Sequence, residues 1–271
     1  MTKYGAAILK VAMVFFFCAM GETTAHAAGT IIFDEGHGER FVTGNNGPLD
    51  LSSLADVFRR KGLTVKPIAG PLDDGALAAA DGIVISGPFS HLTQAEIDSI
   101  LRFMDRGGEL AVMLHIAEPA AELLHTLGVD FSNRIIHEQS DVVDNDSANF
   151  RVTRFESHPL FAGVKRFTIH GGWALAGFAE GARAIASTSP SAWVDLDGDG
   201  KLSAQDVMES FGVVVTGSHG KGAFVVFGDD AIFQNKFLDD DNGVLAGNLA
   251  TWFSGIERGG GRKGGVSGDT P

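Results

Sequence analysis

An α/β fold built on a doubly wound, mostly parallel sheet is what this sequence of 271 residues predicts, and three observations predict it. Short apolar runs alternate with helical periodicities from residue 30 to residue 127, which is the order of βαβ units. Polar residues collect where the apolar runs stop, and open parallel sheets bind ligands beyond the carboxyl ends of their strands. The second half changes to short strands separated by glycines, which adds β structure to the parallel core and carries an inserted acidic loop.

Taken in order, residues 30–33 are an apolar strand running into Asp34, Glu35 and His37. Residues 51–61 have helical spacing (Leu51, Leu54, Ala55, Phe58) and stop at Gly62, a residue suited to a helix C-terminus. Residues 63–68 and 82–86 are strands, the second ending at Ser86 before Gly87 and Pro88. Thr93 and Glu96 form a capping box, in which each side chain satisfies an amide left free at the start of a helix. Ile97, Ile100, Leu101 and Met104 are its buried stripe, and Gly107 and Gly108 end it.

Residues 109–114 are a strand leading to His115, and residues 118–127 a helix ended by Gly128. From 130 to 157 the chain is polar and lacks a clear period, so a surface excursion with an edge strand near 150–155 is expected. Short strands at 167–170, 173–175, 184–186 and 192–194 follow. Residues 212–216 and 223–227 read as a hairpin, and 243–253 as a closing helix.

Residues 195–206 match a complete calcium loop of twelve residues. Ca²⁺ takes six to eight oxygens, and such a loop supplies them from alternate positions around a sharp turn. Asp195, Asp197 and Asp199 hold positions one, three and five, and Gly200 holds six, where the turn needs no Cβ. Lys201 offers its backbone carbonyl at seven, Ser203 its hydroxyl at nine, and Asp206 closes at twelve, where Glu is usual. Asp is one methylene shorter, which lowers the expected affinity. A strand before the loop and a short helix over 204–210 make it a solitary staple and not half of a switch.

Lys3 and Lys10, an apolar run over 11–20 and the small-x-small series Ala25, His26, Ala27 resemble a secretory signal covering residues 1–27. The run is short for a membrane span. Cleavage would remove Cys18, the only cysteine, and with it disulfides, thiolate catalysis and cysteine-ligated zinc. The whole chain carries a net −13 and the part after residue 27 a net −14, which disfavours nucleic acid and anionic membranes, because phosphate contacts need Lys and Arg. Residues 28–257 suit one domain, and 258–271 are a glycine-rich tail without apolar periodicity. Periplasmic or secreted location follows, with no stable membrane insertion after cleavage.

The predicted strand ends deliver Asp34, Glu35, His37, Ser86, His115 and Asp229, with Asp230 beside it and Asn235 shortly after. As a hydrolytic site, His37 or His115 is the base and Asp34 or Asp229 orients it. As a second metal site, the two histidines join the carboxylates. As a binding pocket, the same groups hydrogen-bond a hydroxyl-rich ligand, with Phe41, Phe89 and Trp173 as stacking faces. Each residue can also serve only as a loop cap. No Gly-x-Ser-x-Gly elbow and no complete phosphate loop is present.

Three motifs in order carry a family resemblance: Ile31-Ile32-Phe33-Asp34-Glu35-Gly36-His37-Gly38, His158-Pro159-Leu160-Phe161-Ala162-Gly163-Val164, and Gly220 through Asp229 with Asn235, Asp241 and Asn242. Over residues 30–254 the chain resembles uncharacterised secreted domains related to class I glutamine amidotransferases. It is similar to gliding-motility transporter auxiliary proteins and to an intraflagellar-transport domain. The resemblance implies a flavodoxin-like fold. It also implies a Cys-His-Glu triad, from which this chain departs for want of a cysteine outside the signal segment; His115 stands near the elbow but cannot replace a thiolate. Relatives lacking the triad are thought to bind sugars or partner proteins. The expectation is therefore a calcium-binding, non-catalytic domain for a small-molecule or carbohydrate ligand or an envelope protein, with 130–157 as a contact surface. A hydrolase using Asp34, His37, His115 and Asp229 is the alternative.

Overall fold

Side chains of alternating direction divide the central strands between two apolar layers. Strand β1 (Thr30–Asp34) sends Ile31 and Phe33 to one face and Ile32 to the other, and β3 (Gly82–Ser86) sends Val84 one way and Ile83 and Ile85 the other. The computed structural model describes residues 29–255; the expected signal over 1–27, with Cys18, and the glycine-rich stretch 258–271 lie outside the described residues. Helix α1 (Ser52–Arg60) and the closing helix α4 (Asp240–Ser254) cover the first face through Leu54, Phe58, Leu249 and Phe253. Helix α2 (Gln94–Asp105) and the short α3 (Ala121–Thr126) cover the second through Ile97, Ile100, Met104 and Leu123. The expected capping box is formed: the Glu96 amide donates to Thr93 Oγ1, and Glu96 Oε2 accepts from the Thr93 amide at 2.9 Å.

Five parallel strands make the core of the large sheet, in the order β2 (Thr64–Ile68), β1, β3, β4 (Glu109–Met113), β15 (Gly222–Phe227). This order reverses between β1 and β3 and is the flavodoxin-like one. Lys66 and Pro67 occupy the outer strand, where a residue without an amide proton is tolerated.

Beyond β15 the sheet becomes antiparallel, through β14 (Gly212–His219), β10 (Trp173–Gly177), β5 (Val129–His137), β12 (Trp193–Val194) and β13 (Val207–Met208). β11 (Arg183–Ser187) pairs with β14 and with β8 (Arg154–Phe155). A separate sheet holds β6 (Val142–Val143), β7 (Asp146–Val152) and β9 (Phe167–His170).

Two expectations are corrected here. Residues 130–157 are largely strand: β5 lies inside the large sheet, and Phe150 and Val152 of β7 are fully buried. These strands are polar on the face turned from the core, so too few apolar residues remain to mark a period. The segment after the acidic loop is strand β13 and not a helix. Seven residues are too few for a stable helix in isolation, whereas Val207 and Met208 pair with Val194 and Trp193.

Candidate functional site: two histidine–carboxylate pairs and an acidic loop

Because β1, β3, β4 and β15 run parallel, the segments that follow them emerge at one end of the sheet. The turn after β1 and the turn after β3 are tied together: the amides of Phe89 and Ser90 donate to the His37 carbonyl at 2.9 and 2.8 Å. The turns after β4 and β15 are tied likewise, the Asp230 amide donating to the Leu114 carbonyl at 2.9 Å.

His37 is buried between carboxylates. Its Nδ1 lies 2.7 Å from Asp34 Oδ2 and its Nε2 3.1 Å from Glu96 Oε1. The Asp34 bond holds the imidazole pKa up at about 9 against the opposing effect of burial, so the ring is an imidazolium at neutral pH. Glu96 goes down to about 2: burial opposes this, but Thr93, the Leu72 amide and His37 all donate to it. Glu39 closes the cluster, its Oε2 accepting from the His37 amide at 2.7 Å. Burial, then the neighbouring Asp34 charge, pushes its carboxyl up to about 8.

His115 forms a second, separate pair. Its Nδ1 lies 3.1 Å from Oδ1 of the buried Asp230, and its own side chain is 39% exposed. The bond to Asp230 raises its pKa although burial lowers it. Phe41 and Phe89 flank the ring, each with its centroid 5.3 Å away, and the Arg40 guanidinium lies 4.5 Å over Phe89. Trp173 Nε1 donates to the His115 carbonyl at 3.1 Å. Gly87 allows this closeness: at φ +61 a Cβ there would stand 2.7 Å from Asp230 Oδ2 and 3.1 Å from His115 Cβ.

The remaining strand-end residues hold loops. Asp229 accepts from the His170 amide at 2.7 Å and the Ala231 amide at 2.9 Å; burial and the adjoining Asp230 push its carboxyl up to about 8. Glu35 accepts from the amide and hydroxyl of Thr43. Asn235 accepts from the Ser53 amide and donates to the Gly47 carbonyl, which fastens the 47–53 segment. Ser86 is 4% exposed, and its hydroxyl has no partner among the described residues. Of the four residues of the hydrolase alternative, Asp34 hydrogen-bonds His37 and Asp229 hydrogen-bonds backbone amides, while His115 takes Asp230 as its hydrogen-bond partner. Asp229 and Asp230 lie in the turn beyond β15, where no strand period sets side-chain direction, so the two cannot be told apart from sequence. Glu39, Arg40 and Glu96 escaped notice too. Glu96 already had a role as a cap, and Arg40 gained one only through Phe89.

The family described as DUF4350, a domain of unknown function, matches residues 43–250. The chain belongs to this family. No curated protein matches it. Among solved structures, this DUF4350 chain is similar to the mmIFT52 N-terminal domain, with TM-score 0.67 and 18% identity over 83% of this chain and 97% of that one. A thua-like protein from Bacteroides uniformis gives 0.54 and 14%, covering 89% and 97%, and a cytoplasmic protein from Salmonella typhimurium LT2 gives 0.54 and 15%, covering 84% and 100%. Likeness at this identity speaks to fold. It supports the flavodoxin-like fold expected from the motifs.

At the opposite end of this DUF4350 domain's sheet order, β12 and β13 present the acidic loop. Asp195 Oδ1 accepts from the Gly198 amide at 2.7 Å and Oδ2 from the Gly200 amide at 2.9 Å. Burial opposes ionisation of Asp195, but these amides bring its pKa below the usual value. Asp206 joins the two ends of the loop, accepting from the Leu196 amide at 2.9 Å and the Ser203 amide at 2.6 Å. Gly198 and Gly200 have φ of +78 and +74. One oxygen from each of Asp195, Asp197 and Asp199 falls within 4.8 Å of the others. An all-oxygen set on a rigid turn fits a hard cation such as Ca²⁺. Lys201 and Ser203 follow in the same turn, with Ser203 Oγ 3.3 Å from Asp197 Oδ2.

Proposed function

We propose that this protein is a calcium-stabilised, non-catalytic domain that binds a hydroxyl-rich ligand, a carbohydrate, at the His115 end of the sheet. The observation that carries the reading is the half-exposed His115 ring, backed by buried Asp230 and flanked by Phe41 and Phe89. Aromatic faces cover the apolar side of a sugar ring, while imidazole and guanidinium groups meet its hydroxyls. The pattern at residues 195–206 supports calcium as the cofactor that holds the β12–β13 end of the sheet. A panel of neutral and uronic mono- and disaccharides, titrated while the His115 imidazole resonances are followed by NMR, tests the ligand. At least one sugar should shift them saturably, and His115→Ala and Phe89→Ala should each weaken binding by about tenfold or more. A panel without any saturable shift would sink the carbohydrate reading.

The His115–Asp230 pair also supports a second reading, since an aspartate that orients an imidazole is the arrangement of a general base. Sugar turnover in the same titration that disappears in His115→Gln would favour a hydrolase over a binding domain. Export through the amino-terminal segment is part of the proposal, motivated by Lys3, Lys10 and the small residues Ala25 and Ala27. The exported chain should begin at Ala28; recovery of a chain that still begins at Met1 would overturn it.

A further inference from the structure

We propose that Asp34, His37 and Glu39 bind a divalent transition-metal ion of the Zn²⁺ class, with Glu96 as the carboxylate that orients the imidazole. Asp34 ends β1 and His37 and Glu39 lie in the turn that follows, and one ligand atom from each falls within 4.8 Å of the other two. One nitrogen and two carboxylate oxygens suit Zn²⁺ and its neighbours, in contrast to the all-oxygen acidic loop. Three further features single this cluster out from an ordinary ion pair.

First, His37 Nε2 is already fixed by Glu96 Oε1 at 3.1 Å. A metal-bound imidazole nearly always gives its other ring N–H to such a partner. Glu96 is itself held, by the Thr93 amide and hydroxyl and by the Leu72 amide. Second, Glu39 Oε1 is shielded from solvent and is matched only by the neighbouring Asp34 carboxylate, so a shared proton or a cation is needed between them. Third, Asp34 and Glu96 flank one imidazole and Glu39 adds a carboxyl group with an oxygen within 4.8 Å of the Asp34 and His37 ligand atoms, so once Glu39 ionises the cluster is short of positive charge. A dication would supply it.

The metal would take the place of the proton between His37 Nδ1 and Asp34 Oδ2 and of the proton on the Glu39 carboxyl, both of which leave to solvent. Bonds of about 2.0–2.2 Å in tetrahedral geometry set ligand atoms roughly 3.3 Å apart, so the pair at 2.7 Å opens by about half an ångström. Solvent comes close on two sides. Glu39 is only partly buried, and Glu96 also lines an open groove of about 390 Å³ with Pro71, Asp73 and Arg102. The inference does not depend on the ligand reading at His115.

The test is titration of the full chain with Zn²⁺, and with Co²⁺ as a spectroscopic probe, in saturating Ca²⁺ so that the acidic loop is filled. One saturable equivalent is expected, with Co²⁺ bands of a low-coordinate nitrogen and oxygen site and a Zn²⁺-induced shift of the His37 ring nitrogens. His37→Gln and Glu39→Gln should each weaken binding about a hundredfold or more, Glu96→Gln by about 10–100-fold, and Asp197→Ala should leave it unchanged. Absence of a saturable equivalent overturns the proposal. So does an equivalent that survives in Glu39→Gln, or one that leaves the His37 resonances of the unsubstituted protein unmoved. The last measurement decides the matter even where His37→Gln fails to fold, which circular dichroism would reveal.

Discussion

Removing calcium should lower the melting temperature of this protein by roughly 5–10 °C. The figure comes from mass action: a ligand that binds only the folded state, at a free concentration of 100 times its Kd, stabilises by about 2.7 kcal/mol. In a chain of this size each kcal/mol moves the midpoint by about 2–4 °C. The acidic loop is where the effect should arise. Asp195, Asp197 and Asp199 have oxygens gathered within 4.8 Å, and Asp206 draws the loop's ends together. Without a cation these carboxylates repel one another, and only the short β12–β13 pair and the amides that donate to Asp195 and Asp206 hold the loop closed. Asp197→Ala should cut the calcium-dependent part of the shift at least by half while barely changing the midpoint in chelator. Differential scanning calorimetry with Ca²⁺ and with chelator measures both. Equal midpoints after confirmed metal removal would show that no dication is gripped there.

Raising the pH from 5 to 9 should destabilise the protein, and replacing Asp229 by Asn should remove much of that loss. The Asp229 carboxyl is buried beside Asp230, which pushes its pKa from 3.8 up to about 8. The unfolded chain gives up this proton near pH 4, whereas the folded chain keeps it until about pH 8. Folding therefore takes up a proton throughout that interval. The folded state is favoured most below the unfolded pKa and loses ground until pH passes the folded one. At 1.36 kcal/mol per unit the total is on the order of 5 kcal/mol. An amide at this position cannot ionise. It also cannot accept from both the His170 and Ala231 amides, which adds a cost that does not vary with pH. Urea unfolding of both proteins at pH 5, 7 and 9 separates the two contributions. The Asn variant should gain on the unsubstituted protein as pH rises, with His37 titrating equally in both. A stability difference that is constant across the three pH values would contradict the buried-proton account.

The parallel core was legible because its elements announce themselves locally. Residues 31–33, 83–85 and 110–113 are buried on both faces and so are continuously apolar, and the capping box at Thr93 and Glu96 marks a helix start by its own chemistry. The 130–157 region was not legible. There β5 and β7 bury few side chains, and paired residues on their partners β10, β12 and β9 lie up to 58 residues away along the chain, as for Ile136 and Val194. Strand β13 was missed for the same reason, since only pairing with Val194 and Trp193 makes it a strand.

From its residues alone this chain determined the order of its βαβ units, the strand ends at which polar groups gather, and the twelve-residue acidic turn. All three depend on neighbours in sequence. Which carboxylate meets which histidine was a different matter. His37 sits with Glu96, 59 residues on, and His115 with Asp230, 115 residues on. Only the stacking of parallel strands side by side brings such distant turns to one end of the sheet. The turn that follows β15 then presents Asp230 and not Asp229 to the imidazole, a choice that local sequence does not encode.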